Sequence, residues 1–200
     1  MTKKVLNLKP KDMFFYVFSS YLLIGMHISI EHVGGYGLYL PFNIIGWIFI
    51  SILIGLGLYQ VSRTERLIYS NFSIYCLMGS ALMFLPLFYS NNVHSDLAVM
   101  RMLGLGGGLL LYLSFQQFEF KKEEKIRFLY VILGSVIIQI LLRSFSLFDP
   151  EFGAMAQKNV FATFLATGTA IALFLLVNEK DGFNNIIKQI LVFSIPFLSC

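Results

Sequence analysis

The sequence predicts an all-α fold. It reads as a polytopic transmembrane helix bundle with six full spans, a truncated seventh and a cytoplasmic N-terminus. Three observations carry this. Hydrophobic residues make up 57% of the 200 residues, with a mean hydropathy of +0.74. Charged residues make up only 13%, against the ~25% of a soluble globular protein. The apolar residues form continuous runs rather than alternating ones, so helices and not a barrel are expected to cross the bilayer.

A crossing takes roughly 20 apolar residues at ~1.5 Å each to cover ~30 Å of hydrocarbon. Spans are predicted at about 13–30, 41–60, 71–89, 97–116, 128–147 and 160–178. A seventh begins near Gln189 and reaches Cys200. As a helix it extends only ~18 Å. Ending there would leave carbonyls unpaired in hydrocarbon. Residues 1–200 are therefore expected to be the N-terminal transmembrane part of a longer membrane protein. A short final helix that tilts or re-enters is the alternative.

Short loops force the spans to alternate in direction, and basic residues then set the orientation. With the N-terminus inside, the cytoplasmic segments hold Lys3, Lys4, Lys9, Lys11, Arg63, Arg66, Lys121, Lys122, Lys125, Arg127, Lys180 and Lys188. The other side holds only Arg101, Arg143 and Lys158. The net charge of +4 thus reflects topology, and no nucleic acid partner is expected. Cys76, inside an apolar run, and Cys200 make no disulfide framework. No cleavable signal peptide is evident, because the first run lacks a small-residue cleavage site.

Between the spans, 116–127 (QQFEFKKEEKIR) reads as a solvated charge cluster at the membrane boundary. Gly104 and Gly108 have the spacing that lets helices approach closely, within a run that also holds Gly106 and Gly107. Pro86 is expected to kink the end of the third span.

The three outer cations point to chemistry. Arg101 and Arg143 each lie about one turn inside the outer end of a span, and Lys158 precedes the sixth. Ionisable residues in a membrane are costly and mark functional sites. Arginine's planar fork suits phosphate. The structural alternative is that each side chain snorkels to the headgroups. His27, Glu31 and His32 gather at the outer end of the first span, with His94 and Asp96 in the next outer loop. Histidine and carboxylate suit zinc, but the His-Glu-x-x-His spacing is absent. Interfacial hydrogen bonding is the simpler reading, so no metal site is assigned. No phosphate loop, no nucleophile elbow and no soluble cofactor-holding domain are present in the sequence, and no cofactor is expected. No catalytic residue is assigned.

Residues 157–168 read QKNVFATFLATG and open the sixth span. This segment resembles the Gln-x-Asn-x-x-Ala-(Ser/Thr)-Phe-Leu-Ala-Thr-Gly signature of bacterial protein O-oligosaccharyltransferases. These are the pilin-type glycosylation ligases, related to O-antigen ligases and Wzy-type polymerases. Gln157, Asn159, Ala162, Phe164, Leu165, Ala166, Thr167 and Gly168 match, and Thr163 keeps the hydroxyl where serine is expected. The resemblance covers the N-terminal part of such a protein. It implies a multi-pass protein of the bacterial inner membrane whose site faces the periplasm. That protein would transfer a glycan from undecaprenyl pyrophosphate to a Ser or Thr of a protein acceptor such as a pilin. In the related enzymes the acceptor is lipid A core or a growing polysaccharide. The large periplasmic loop and later helices of the family have no counterpart within 1–200.

The two lines meet at the outer face. Arg101, Arg143 and Lys158 would neutralise the pyrophosphate, and Gln157 and Asn159 would donate amide hydrogen bonds to phosphate or sugar. Asn159 as a simple cap of the sixth span is the alternative. Two other function classes remain open: a transporter or flippase subunit, which needs polar residues at mid-membrane, and a non-catalytic scaffold. Ser51 and Ser80 are among the few polar residues noted in the middles of the spans.

Overall fold

Pro10 opens the first helix. Its fixed φ and missing N–H suit the first helical position, where no intrahelical donor is needed. In the computed structural model of the chain, residues 9–27, 44–85, 95–144 and 158–178 are described. Among them every regular element is helical: α1 (Pro10–Leu23), a short 3-10 turn (Gly25–His27), α2 (Ile44–Thr64), α3 (Asn71–Phe84), α4 (Ser95–Gln116), α5 (Lys122–Ser144) and α6 (Lys158–Asn178). Two are long and apolar enough to cross a membrane, Ile44–Thr64 and, within α5, Lys122–Leu142. Asn71–Phe84, Met102–Gln116 and Phe161–Val177 are shorter apolar helices.

Several element ends depart from expectation. α1 stops at Leu23, where 13–30 was expected, and the chain tightens into the Gly25–His27 turn. α3 ends at Phe84, where 71–89 was expected, and Leu85 N–H bonds back to Leu82 O at 3.2 Å. Pro86 has no N–H to continue the ladder, so α3 terminates before it. The seventh run lies outside the described residues.

The chain divides into two units, Met1–Tyr21 with Tyr36–Phe120, and Leu22–Gly35 with Lys121–Cys200. In the first unit α2 and α4 run parallel. Trp47 stacks on Gly107 near one end, and Gly57 meets Ser114 near the other. α3 runs opposite to α4, with Ser73 hydrogen-bonded to Gln116 and Phe84 near Gly106. α1 also runs opposite to α2 and α4, since Phe14 packs on Phe115 while Tyr21 packs on Phe49. These four helices thus alternate as short loops require. Lys11, Arg63 and Arg66 gather at one end.

That end is built locally. Glu65 takes φ 52° after α2, and its N–H bonds to Val61 O at 2.8 Å. This left-handed residue stops the helix. Five residues on, Ser70 caps α3 in a capping box: Ser73 N–H donates to Ser70 Oγ at 3.2 Å, and Ser70 N–H donates to Ser73 Oγ at 3.1 Å. Gln117 pins the connection, accepting from Ile68 N–H at 3.0 Å and donating to Ile68 O at 2.9 Å.

The 116–127 segment is therefore not solvated throughout. Gln117, Phe118 and Phe120 are buried, and Phe14 is 0% exposed against them, with ring centroids 4.9 Å apart at Phe118. Lys11 Nζ sits 5.7 Å over the Phe120 ring and 3.4 Å from Glu119 O. Lys121, Lys122, Glu123, Lys125 and Arg127 are exposed as expected. The glycine reading also shifts by one residue. A Cβ on Gly108 would meet nothing within 4 Å, whereas one on Gly107 would stand 3.1 Å from Trp47. Gly107 and Ser114 lie on the face that meets α2, and Gly108 does not.

In the second unit Leu133, Val136 and Ile140 of α5 pack with Phe161, Leu165, Ala172 and Leu175 of α6. Gly168 admits Val136: a Cβ there would lie 2.8 Å from both Val136 methyls. In hydrocarbon such close van der Waals packing, rather than apolar burial, holds helices together.

Candidate functional site

The buried polar side chains described in the second unit, His27, Ser135 and Gln139, gather where the end of α1 meets α5. Ser135 and Gln139 are four apart on α5 and so share a face. Both are 0% exposed, and His27 opposite them is 7% exposed. Gly134 lets the elements approach, since a Cβ there would lie 3.3 Å from Leu23 Cδ2.

The hydrogen bonds fix the ring's state. Ser135 Oγ–H donates to Leu22 O at 2.7 Å, a carbonyl in the last turn of α1. Met26 Sδ is also near, at 3.1 Å, but a carbonyl is the stronger acceptor for the one hydroxyl proton. Ser135 Oγ is then an acceptor for His27 Nε2–H at 3.3 Å. A neutral imidazole protonated on Nε2 offers a lone pair at Nδ1, and Gln139 Nε2 donates to it at 2.7 Å. Gln139 Oε1 is buried and has no donor among the described residues.

The expectation of interfacial hydrogen bonding at His27 thus becomes a buried tether. Glu31, His32 and His94 lie outside the described residues, as does the side chain of Asp96. Among the described residues no group of three His, Cys, Asp or Glu stands in metal-binding proximity.

The anticipated anion site is distributed as follows. Arg101 is in α4 of the first unit; Arg143 in the last turn of α5, Lys158 as the first residue of α6 and Asn159 as the second belong to the second unit. Only their backbones are described. Gln157 lies outside the described residues. Asn159 is inside the first turn of α6, two places beyond the capping position at 157.

Three residues of the 157–168 segment have a packing explanation. Phe161, Leu165 and Gly168 are buried toward α5, while Ala162, Thr163, Ala166 and Thr167 are exposed on the other face. Thr167 Oγ1 donates to Thr163 O at 2.9 Å, so its hydroxyl is satisfied within the helix.

Ser135 and Gln139 were not among the expected site residues. Their signal was present: Ser135, Gln139 and Arg143 recur every four residues in an otherwise apolar stretch. No family model matches the chain, and no curated protein or solved structure matches it either.

Proposed function

We propose that the protein is the N-terminal membrane part of a glycosyltransferase of the glycan ligase class, transferring a lipid-pyrophosphate-linked glycan to a Ser or Thr of a protein at the periplasmic face of the bacterial inner membrane. The observation that carries this reading is the 157–168 segment with cations beside it in sequence. Arg143 closes the helix before it, and Lys158 lies within it. In this reading Arg143 and Lys158 neutralise the pyrophosphate as it becomes the leaving group. Gln157 and Asn159 hydrogen-bond phosphate or sugar. O-antigen ligases and polymerases share this donor chemistry and differ in the acceptor.

The test is glycan transfer by the full product of the coding sequence, comparing wild type with Arg143→Ala at equal protein level. A loss of at least tenfold is expected, since an Arg–phosphate pair is charge-assisted and roughly twice as strong as a neutral hydrogen bond. Unchanged transfer removes Arg143 from the site. A transporter or flippase subunit is the rival, favoured by one observation: the buried polar face of Ser135 and Gln139 inside an apolar helix. Reconstituted vesicles that move the lipid-linked glycan without transferring it would support that rival.

A further inference from the structure

A turn between two apolar helices is ordinarily polar, because water covers it. The turn between α2 and α3 is different. Residues 65–70 read ERLIYS, and Leu67 and Tyr69 are each 64% exposed, with Ile68 exposed between them. Three consecutive exposed apolar side chains are a liability unless something covers them. The turn is held so that they stay outward. Gln117 grips Ile68 at both its N–H and its C=O, and the capping box fixes Ser70. The same bonds serve the backbone polar groups of Ile68 and Ser70 from within the protein. Non-helical backbone needs that wherever water is scarce.

The apolar surface continues past the turn. Phe72, Ile74, Tyr75 and Leu77 of α3 are exposed, and at about 3.6 residues per turn they point to well-separated sides of the helix. A docked protein would cover one side, whereas lipid covers them all. Aromatic and cationic side chains mark the border of this surface. Tyr59 is exposed one turn before Arg63. Arg63 and Arg66 are exposed, and among the described residues neither guanidinium has a partner. Glu65, between them, is the only carboxylate from 44 to 94, so the hairpin carries a net positive charge. Tyrosine beside arginine is the composition of the zone where a cytoplasmic leaflet meets water.

We infer that the α2–α3 turn is seated in the headgroup layer of the cytoplasmic leaflet, with Leu67 and Tyr69 against the upper acyl carbons and Arg63 and Arg66 on lipid phosphates. A guanidinium donates two parallel hydrogen bonds to phosphate oxygens. The partner is therefore a phospholipid, and the hairpin is a fixed anchor that sets the depth of the first unit. The inference rests on the membrane part of the proposed function and not on its glycan chemistry.

The experiment is tryptophan fluorescence of Tyr69→Trp in the full chain, in nanodiscs of phosphatidylcholine and phosphatidylglycerol with acyl chains brominated next to the headgroup. Leu67→Trp serves if Tyr69→Trp does not fold. Trp47 stays, and its quenching in the parent chain is subtracted. Emission from position 69 is expected to fall by roughly twofold or more with the brominated lipid, as an indole at headgroup depth meets the bromines. Iodide added from the water should quench it less. Adding Arg63→Gln and Arg66→Gln is expected to relieve the bromine quenching, since each arginine near the surface favours the seated state by roughly fivefold. Unchanged quenching in that variant overturns the assignment of the phosphates to the two arginines. A chain that co-elutes with the nanodiscs while position 69 is open to iodide and untouched by bromine overturns the inference alone. A chain that does not co-elute with lipid overturns the membrane reading as well. Failure of glycan transfer in a protein whose position 69 is quenched by bromine removes the ligase reading alone.

Discussion

Gly57 lies against the backbone of Ser114. A Cβ built on Gly57 would stand 2.7 Å from Ser114 Cα, a backbone atom that cannot yield as the tip of a side chain can. The parallel pair α2 and α4 is closest here. Gly57→Ala is therefore expected to cost about 1–3 kcal/mol through overpacking. Gly55→Ala, where a Cβ meets nothing within 4 Å, is expected to be neutral or to gain up to about 1 kcal/mol from helix propensity. Thermal unfolding of the two variants in detergent checks the contrast. Equal midpoints would remove the close approach.

Gly168 and Val136 form the corresponding contact in the second unit. Gly168→Ala is expected to cost about 1–3 kcal/mol, because the stiff Val136 side chain has no free rotamer to retreat to. Adding Val136→Ala should recover part of that loss. The measurement is a double-mutant cycle on unfolding free energy, with a coupling of about 0.5–3 kcal/mol expected. Strict additivity would mean that the two residues do not meet.

The His27 tether gives a third expectation. Gln139→Leu leaves Nδ1 buried without a donor, at a cost of about 1–3 kcal/mol. Once His27→Ala is present, the same change should cost much less, because the unpaired nitrogen is gone. Denaturant unfolding of the single and double variants reads this directly. A full penalty for Gln139→Leu in the absence of His27 would show that the tether is not what Gln139 supplies.

Gln117 holds the chain at Ile68 by two hydrogen bonds, two residues from exposed Arg66. Gln117→Leu removes both and should release the segment. Cleavage by trypsin after Arg66 is expected to accelerate by roughly tenfold, the population shift for about 1.4 kcal/mol of local opening. An unchanged cleavage rate would place the restraint elsewhere, in the Ser70–Ser73 capping box.

The existence and order of the helices were legible because apolar runs bounded by charge leave few alternatives. Their ends were less so. Nothing in hydropathy distinguishes a helix that continues past Leu23 from one that tightens at Gly25. QQFEF looked solvated because its neighbours are charged. Its aromatics are buried because Phe14, far away in sequence, needs a partner. Close approach was expected at Gly108 and is found at Gly107 instead, because rotation about the helix axis decides which glycine faces a neighbour, and the composition of the run does not. Ser135 and Gln139 do not stand out in the sequence because two polar residues leave the span as a whole apolar. Arg101, Arg143 and Lys158 were conspicuous because charge is rare there.

α3 buries one residue, Ser73, and leaves Phe72, Ile74, Tyr75, Leu77, Met78, Leu82 and Met83 exposed around its circumference. Natural selection therefore has little hold on the individual letters of this helix beyond their greasiness. Among diverging descendants of this chain, α3 would drift fastest, trading one oily side chain for another, while Ser73 and its Gln116 partner stayed fixed.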